Sequence, residues 1–230
     1  MPESPADDLR LTTTSYAILT QLALRPWSPY QLVQQRVRYF RYAWPAAESA
    51  IYREVKRLAE IGLAAGREES TGKRSRTVYS ITDDGLEALR AWLETPVTPF
   101  ALEFEAMIRL FAVPIGSTEQ IVTTLNQVRA DAQEMLGFAA EVRGEFIDGR
   151  NPLQEQIYVR ALAVDFFVSL LLTVDSWAAR SLEAIRRWDD LSLEERNRRG
   201  LEIITSLPLA EPGAGSDAPT LPPATQERRR

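Results

Sequence analysis

The chain has 230 residues, of which 45% are hydrophobic and 26% are charged, a composition typical of a globular rather than a disordered protein. It contains neither cysteine nor histidine, which excludes disulfides, thiolate nucleophiles, Cys/His zinc sites and Ser-His-Asp triads. The net charge of −5 is unevenly divided, since residues 11–93 carry +4 and residues 94–230 carry −7. A basic amino-terminal part favours an anionic partner, although a balance this small is also compatible with chance.

Neither a secretory signal nor a membrane span is predicted. Residues 1–8 are acidic and contain proline, unlike the basic and then apolar start of a signal peptide. The most apolar stretch, residues 166–174, is much shorter than the ~20 residues that a span needs. We therefore expect this stretch to be a buried helix segment of a soluble, cytoplasmic protein that does not contact the membrane.

Three helices are predicted near the amino terminus. Apolar residues at helical spacing predict the first over residues 12–24. Ser28, as an N-cap before a proline, begins the second helix, which extends to about residue 39. The third covers residues 46–61 and ends at Gly62, a typical C′ glycine.

A basic hairpin and another helix follow. Residues 63–68 and 77–82 are predicted to be short strands, and the polar segment between them contains glycine and four basic or hydroxyl residues in a row. Thr82 caps a helix that extends to Leu93. Three helices, a hairpin and a further helix predict a winged helix-turn-helix.

The third helix has the features of a DNA-recognition helix. Ile51, Val55 and Leu58 form its inward stripe, whereas a hydroxyl, a phenol, a guanidinium and an ammonium group lie outside it. Such groups can donate to guanine or to phosphate, and the hairpin cations can reach an adjacent groove or the backbone. An ordinary charged surface helix is the alternative, but it does not explain the neighbouring hairpin. The residues predicted to contact DNA are Tyr30, Gln34, Ser49, Tyr52, Arg53, Lys56, Lys73, Arg74 and Arg76.

The amino-terminal segment resembles the winged-helix domain of PadR-type transcriptional regulators. The similarity lies in the opening residues 11–19, in Trp44-Pro45 and the apolar pattern after it, and in the wing and exit helix, residues 72–85. The sequence departs from the family where Pro29-Tyr30-Gln31 replaces a Gly-Tyr-acidic motif, and where Ala59 replaces a glutamate. The resemblance implies a DNA-binding repressor with a helical carboxy-terminal dimerisation domain.

The rest of the chain is predicted to be helical after a proline-containing linker at residues 95–99. The expected helices cover residues 103–113, 117–145, 151–188 and 192–207. The longest of these helices, residues 151–188, has an apolar stripe that exceeds what one neighbouring helix would cover. We expect it to pair with a second subunit, the alternative being an intramolecular bundle core. The residues assigned to dimerisation are Leu153, Ile157, Val164, Leu171, Val174 and Ala178.

The predicted fold is therefore mainly α. It consists of an amino-terminal winged helix-turn-helix with a two-stranded wing, residues 11–93, and a carboxy-terminal helical dimerisation or effector domain, residues 100–207. Residues 208–230 are rich in proline and are predicted to form a disordered tail.

No catalytic site, metal site or cofactor is predicted. Asp165 and Asp175 lie within the apolar run, where they could pair with Arg160 or Arg180 across a dimer or line a ligand cavity. A small aromatic effector is a candidate ligand, although core packing is the alternative for each aromatic residue that could hold it. These aromatic residues are Trp92, Phe100, Phe104, Phe111, Trp177 and Trp188.

The sequence thus predicts a homodimeric regulator that binds double-stranded DNA at an inverted-repeat operator and acts as a repressor. Two recognition helices would enter successive major grooves about one helical turn apart. The competing interpretations are a winged-helix module that binds an acidic protein, and a ligand-sensing adaptor that does not bind DNA.

Overall fold

A computed structural model describes residues 10–40, 44, 46–71 and 74–209 of the chain. The amino-terminal elements follow the predicted order. They are α1 (Thr13–Leu24), α2 (Pro29–Gln35), α3 (Glu48–Glu60), β1 (Ala64–Thr71), β2 (Arg74–Ile81) and α4 (Asp83–Leu93). A π-helical turn, Arg36–Phe40, continues α2, where the sequence predicted only a longer α-helix.

Capping residues define the helix ends in this part of the chain. Thr12 forms a capping box with Ser15 at the start of α1, and Ser28 forms one with Gln31 at the start of α2. Gly62, just after α3, has a φ of 82°, the left-handed conformation that a C′ glycine adopts.

The core of the winged helix lies between α1, α2 and α3. Ile18 and Leu19 of α1, Leu32 of α2, and Ile51 and Leu58 of α3 are fully buried there. Burial of a side chain of this size contributes roughly 1.5–3 kcal/mol. The three helices are thus held together mainly by apolar packing.

The wing is an antiparallel hairpin in which Ala64 pairs with Ile81 and Thr71 pairs with Arg74. Both strands extend further towards the tip than predicted. The base of the wing is attached to the helices through Trp27, which exchanges two backbone hydrogen bonds of 2.9 Å with Tyr79. The wing therefore has a defined orientation relative to α1 and α2.

Four helices form the carboxy-terminal part. They are α5 (Glu105–Phe111), α6 (Thr118–Ile147), α7 (Ile157–Arg186) and α8 (Leu193–Thr205). The long helices α6 and α7 pack against each other, and a second apolar cluster joins their distal halves through Ile121, Leu125, Ala178 and Leu182. Ser117 forms a capping box with Gln120 at the start of α6, and Ser192 caps α8. The Glu195 side chain accepts hydrogen bonds from Arg198 and Arg199 instead of closing a capping box with Ser192.

The start of α7 differs from the prediction. The helix begins at Ile157 and not at Asn151, because a 3₁₀ turn at Gln154–Gln156 intervenes. The Asn151 side chain instead accepts a hydrogen bond from the Leu153 amide (3.0 Å) and donates one to Glu145 (3.2 Å). This turn directs Leu153 into the core of the winged helix, so that it joins the two parts of the chain.

Helix α7 is also more exposed than predicted. Among the described residues, the segment Gln154–Arg186 is long and apolar enough to cross a membrane by length and composition alone, and only 11% of its most apolar window is buried. Such a segment is weak evidence for a membrane span, since a helix that packs in a soluble protein passes the same test. The prediction of a buried segment at residues 166–174 is wrong for the single chain, because Phe166 and Leu172 are more than half exposed.

Gly85 and Gly137 provide a matched test of the packing around α4. A Cβ atom on Gly85 would lie 2.1 Å from the Leu63 carbonyl oxygen and 2.9 Å from Ile81 Cγ1, whereas one on Gly137 would meet nothing within 4 Å. We expect Gly85→Ala to lower the free energy of unfolding by about 1–3 kcal/mol through overpacking. Gly137→Ala, inside α6, should raise it by about 0.5–1 kcal/mol.

Urea unfolding of both variants, followed by circular dichroism, measures the two changes. Similar effects at the two positions would contradict the close approach of α4 to the end of α3.

Candidate nucleic-acid interface

Helix α3 has two chemically distinct faces. Ile51, Val55 and Leu58 are completely buried, as their spacing predicts. Tyr52 on the outer side is 39% exposed, and Ser49, Arg53 and Lys56 are exposed as well. The four predicted α3 contacts thus lie on the solvent side of the helix, where a nucleic acid could reach them.

A buried polar contact fixes α3 on α1. The Ser15 hydroxyl, which is fully buried, donates a hydrogen bond of 2.6 Å to Glu54 Oε1. Arg57 donates to both carboxylate oxygens of Glu54, at 2.8 and 3.0 Å. The glutamate therefore links the two helices while the arginine neutralises it.

The ionisation of Glu54 reflects these partners. Burial raises the pKa of Glu54, but the hydrogen bonds from Arg57 and Ser15 and the nearby charges of Arg57 and Arg53 outweigh it, so that the pKa lies below its ordinary value. A carboxyl group with a lowered pKa stabilises the fold above its unfolded pKa, and this contribution is lost as the pH falls through the folded value. The contact is consequently intact at neutral pH.

The i, i+3 spacing of Glu54 and Arg57 could have suggested their pairing, but nothing in the sequence connects them with Ser15.

The predicted contacts on α2 are also accessible. Tyr30 is 63% exposed in the first turn of the helix, and Gln34 is exposed one turn later. Leu32 and Val33 face the core.

The wing differs most from its prediction. Lys73 and the side chain of Arg74 lie outside the described residues. Arg76 is exposed, but it binds Glu69 at 3.3 Å, and the same carboxylate binds Arg67 at 2.6 Å. Neither Arg67 nor Glu69 was among the predicted contacts, although their positions in a hairpin of known register would have suggested that they pair.

The stripe assigned to dimerisation lies largely inside the subunit. Leu153, Leu171 and Ala178 are buried, Val164 and Val174 are half-buried, and Ile157 is exposed. Leu153 packs in the winged-helix core and Ala178 packs in the cluster that includes α6 residues. Most of this stripe therefore faces intramolecular neighbours, which corresponds to the alternative of a bundle core.

A different face of α7 is apolar and exposed. Tyr158 is 78% exposed, and Val159, Leu162, Phe166 and Leu172 are each more than half exposed. At helical spacing Leu162 and Phe166 lie opposite Leu171 and Ala178, whereas Leu172 lies to one side. The first half of α7 is thus apolar on two sides, of which only one is covered within the chain.

One of the two carboxylates in the apolar run, Asp175, has a different partner from those expected. Asp175 pairs with Arg129 of α6, with 3.0 Å between Oδ1 and Nε, and accepts a hydrogen bond from Gln133 at 3.1 Å. This contact within the chain replaces the predicted pairing with Arg160 or Arg180. Asp165 is exposed on α7.

A cavity of about 580 Å³ lies between the winged helix and the long helices. Gln21 of α1, Arg38 of the π-helical turn, and Phe138, Arg160 and Phe167 of α6 and α7 contribute to its lining. Gln21 is buried, and its side-chain oxygen has no hydrogen-bond partner among the described residues. Arg38 also forms an ion pair with Glu145 of α6, so that the cavity borders a contact between the two parts of the chain.

The aromatic residues proposed for an effector pocket do not line this cavity. Trp92 stacks on Tyr16 with 4.7 Å between ring centroids, Phe104 contacts Trp177 at 5.6 Å, and Trp188 lies beneath Arg196. Phe100 and Phe111 are exposed. The aromatic lining consists instead of Phe138, Tyr158 and Phe167.

These features define the class of the protein. Its amino-terminal fold is a winged helix-turn-helix followed by a helical carboxy-terminal part, as predicted. Within the described parts of the chain, no group of three or more acidic side chains could hold a metal ion.

Residues 18–91, about a third of the chain, match a family model described as the Transcriptional regulator PadR-like family. The matched segment is the one that resembles PadR-type regulators in the sequence analysis, so this resemblance is confirmed. Members of that family are transcriptional regulators and not enzymes. A comparison with curated protein sequences gives no match.

Similar solved structures share this fold. PadR from Bacillus subtilis in complex with operator DNA is 20% identical, with a TM-score of 0.62 over 76% of this chain and 99% of that one. The same protein in complex with p-coumaric acid is 20% identical, with a TM-score of 0.56 over 80% and 99%. The Vibrio cholerae virulence activator AphA is 22% identical, with a TM-score of 0.59 over 76% and 99%. At these identities, the likeness establishes the fold alone.

Proposed function

We propose that the protein is a cytoplasmic, homodimeric, sequence-specific DNA-binding regulator that represses transcription from an inverted-repeat operator. The observation that carries this proposal is the outer face of α3, where Ser49, Tyr52, Arg53 and Lys56 are exposed together on a helix whose other face is buried. Arginine and lysine donate to guanine or phosphate, and the hydroxyl groups of serine and tyrosine donate to phosphate or base edges.

The neighbouring elements support the same role. Tyr30 and Gln34 are exposed on α2, and Arg76 is exposed on the wing, whose sequence also contains Lys73 and Arg74. Contacts from a helix and a wing to adjacent parts of a duplex would make binding strongly dependent on salt concentration. The complex of the similar B. subtilis PadR with operator DNA adds support for DNA as the ligand.

The exposed face of α7 supports a dimer with two-fold symmetry. Leu162 and Phe166 lie one helical turn apart on this exposed side and form an apolar surface of the kind that subunit interfaces cover. Tyr158 and Val159 extend it towards the cavity, which they also line. A second copy of α7 offers a complementary apolar surface by symmetry. These residues replace the buried members of the predicted stripe in our proposed interface.

A sensing function is also proposed, since the cavity opens beside the helix-turn-helix. Its lining combines aromatic rings, the guanidinium groups of Arg38 and Arg160, and the unpaired oxygen of Gln21. We infer an effector with an aromatic ring, a carboxylate and a hydroxyl donor, which is the chemistry of the p-coumaric acid bound by the similar B. subtilis PadR. Because Arg38 belongs to the turn between α2 and α3, occupancy of the cavity would act on the DNA-binding face.

The DNA-binding role predicts that Tyr52→Ala and Arg53→Ala each weaken operator binding by roughly tenfold, the loss expected when one base or phosphate contact is removed. The operator is taken from duplexes that the purified wild-type protein enriches from a random pool, and affinity is measured by fluorescence anisotropy. Arg187→Ala, which removes an exposed arginine at the end of α7, serves as the matched control and should have no effect. Unchanged operator affinity in both α3 variants would exclude them from the interface.

The proposed dimer predicts that Leu162→Glu converts the protein into monomers at micromolar concentration, because the interface would have to bury two unpaired carboxylates. Sedimentation equilibrium measures the mass. Leu93→Glu makes the same change at a leucine that is 69% exposed at the end of α4, and this variant should remain dimeric. A wild-type protein that sediments as a monomer would contradict the proposed interface.

The proposed effector class predicts that p-coumarate, used as the probe, binds the wild-type protein in isothermal titration calorimetry. Gln21→Leu should weaken this binding by about two- to tenfold, the value of one neutral hydrogen bond. The variant should melt no lower than the wild type, because the Gln21 side-chain oxygen has no partner to lose. A lack of binding to the wild type, or equal binding to both proteins, would contradict the proposed site.

A further inference from the structure

The wing contains an ion-pair cluster in which one carboxylate binds two arginines. Glu69 Oε1 lies 2.6 Å from Arg67 Nη2, and Glu69 Oε2 lies 3.3 Å from Arg76 Nη2. The Glu69 side chain thus uses both oxygens, one for each guanidinium group.

Strand register explains why these three residues meet. Glu69 is paired directly with Arg76 across the hairpin, and Arg67 lies two residues before Glu69 on the same strand. Side chains two apart on a strand point to the same side, so all three occupy one face of the wing. Glu68 belongs to the opposite face, where its carboxylate accepts a hydrogen bond from Ser75 at 3.4 Å.

The cluster remains charged under physiological conditions. Hydrogen bonds from Arg67 and Arg76 hold the pKa of Glu69 below its ordinary value, so that the carboxylate is ionised throughout the neutral range. Exposed ion pairs of this kind contribute little to stability, because water and salt compete with them. A DNA phosphate, which also accepts two guanidinium hydrogen bonds, can therefore replace the carboxylate.

We propose that Glu69 competes with DNA phosphates for Arg67 and Arg76 and thereby lowers the sequence-independent affinity of the wing. This inference rests on the proposed DNA-binding function and assigns a specificity-determining role to a residue that does not itself contact DNA. Binding through α3 brings the wing close enough to a duplex for phosphates to displace Glu69. On unrelated DNA, where α3 makes fewer contacts, the carboxylate retains the arginines.

The test compares Glu69→Gln with Glu68→Gln in the full-length protein. Both variants remove one negative charge from neighbouring positions of the same strand, but only the first releases arginines. Affinities are measured for the selected operator and for an unrelated duplex between about 50 and 200 mM salt. Melting temperatures of both variants confirm that the wing change leaves the fold intact.

We expect Glu69→Gln to bind the unrelated duplex more tightly than Glu68→Gln does, and to show a smaller operator-to-unrelated ratio. On the unrelated duplex, two additional phosphate contacts would steepen the slope of log affinity against log salt by about 1.8. The loss of affinity for that duplex between about 50 and 200 mM salt then becomes roughly tenfold larger. The change in slope separates released arginines from a general change in net charge, which both variants share.

Equal affinities and slopes for the two variants would overturn the inference while leaving the proposed function intact. Weaker binding by Glu69→Gln would also overturn it, because Glu69 would then hold the arginines in place for DNA. A wild-type protein that binds no duplex at all would refute the proposed function, and the inference with it.

Discussion

The burial of one face of α3 determines the orientation of its other face. Ile51, Val55 and Leu58 have no exposed surface, so the helix cannot rotate about its axis without opening the core. The contact of Glu54 with Ser15 and Arg57 adds a directional constraint to this apolar packing. The side chains of Tyr52 and Arg53 are presented to solvent at a defined angle as a consequence, and the wing is positioned beside them through Trp27 and Tyr79.

The same principle extends to the carboxy-terminal part, where α7 carries more apolar surface than one subunit can cover. Leu171 and Ala178 are buried within the chain, whereas Tyr158 and Leu162 on the opposite side are exposed. Leu153 and the ion pair of Arg38 with Glu145 connect this part to the winged helix. A change in the packing of the long helices can therefore reach the turn between α2 and α3 through direct contacts.

Local features of the fold were predictable from the sequence. The capping serines and threonines, Gly62 and the inward stripe of α3 each depend on residues within a few positions of one another, and these were predicted correctly. The partner of an apolar face is a different matter, since periodicity identifies the face but not what covers it. The predicted stripe on α7 was accordingly assigned to a second subunit, although Leu153 and Ala178 pack inside the chain.

Long-range polar contacts were missed for a related reason. The pairing of Asp175 with Arg129 and the hydrogen bond from Ser15 to Glu54 join residues about 40 positions apart. Many other carboxylates in the sequence could have bound the same arginine or the same hydroxyl. The wing shows the same limit at shorter range. Its tip was identified as basic, but the ion pairs of Glu69 with Arg67 and Arg76 were not predicted. A count of charges indicates what a surface can attract, but geometry determines which of those charges are available.

DNA cleavage from a probe on the outer face of α3 measures whether this face lies in the major groove. The chain has no cysteine, so Ser49→Cys provides a unique attachment point for an iron chelate that cleaves nearby DNA. We expect two clusters of cleavage, related by two-fold symmetry and about one helical turn apart on the selected operator. Cleavage no stronger than that from the same chelate on Arg187→Cys would contradict this expectation.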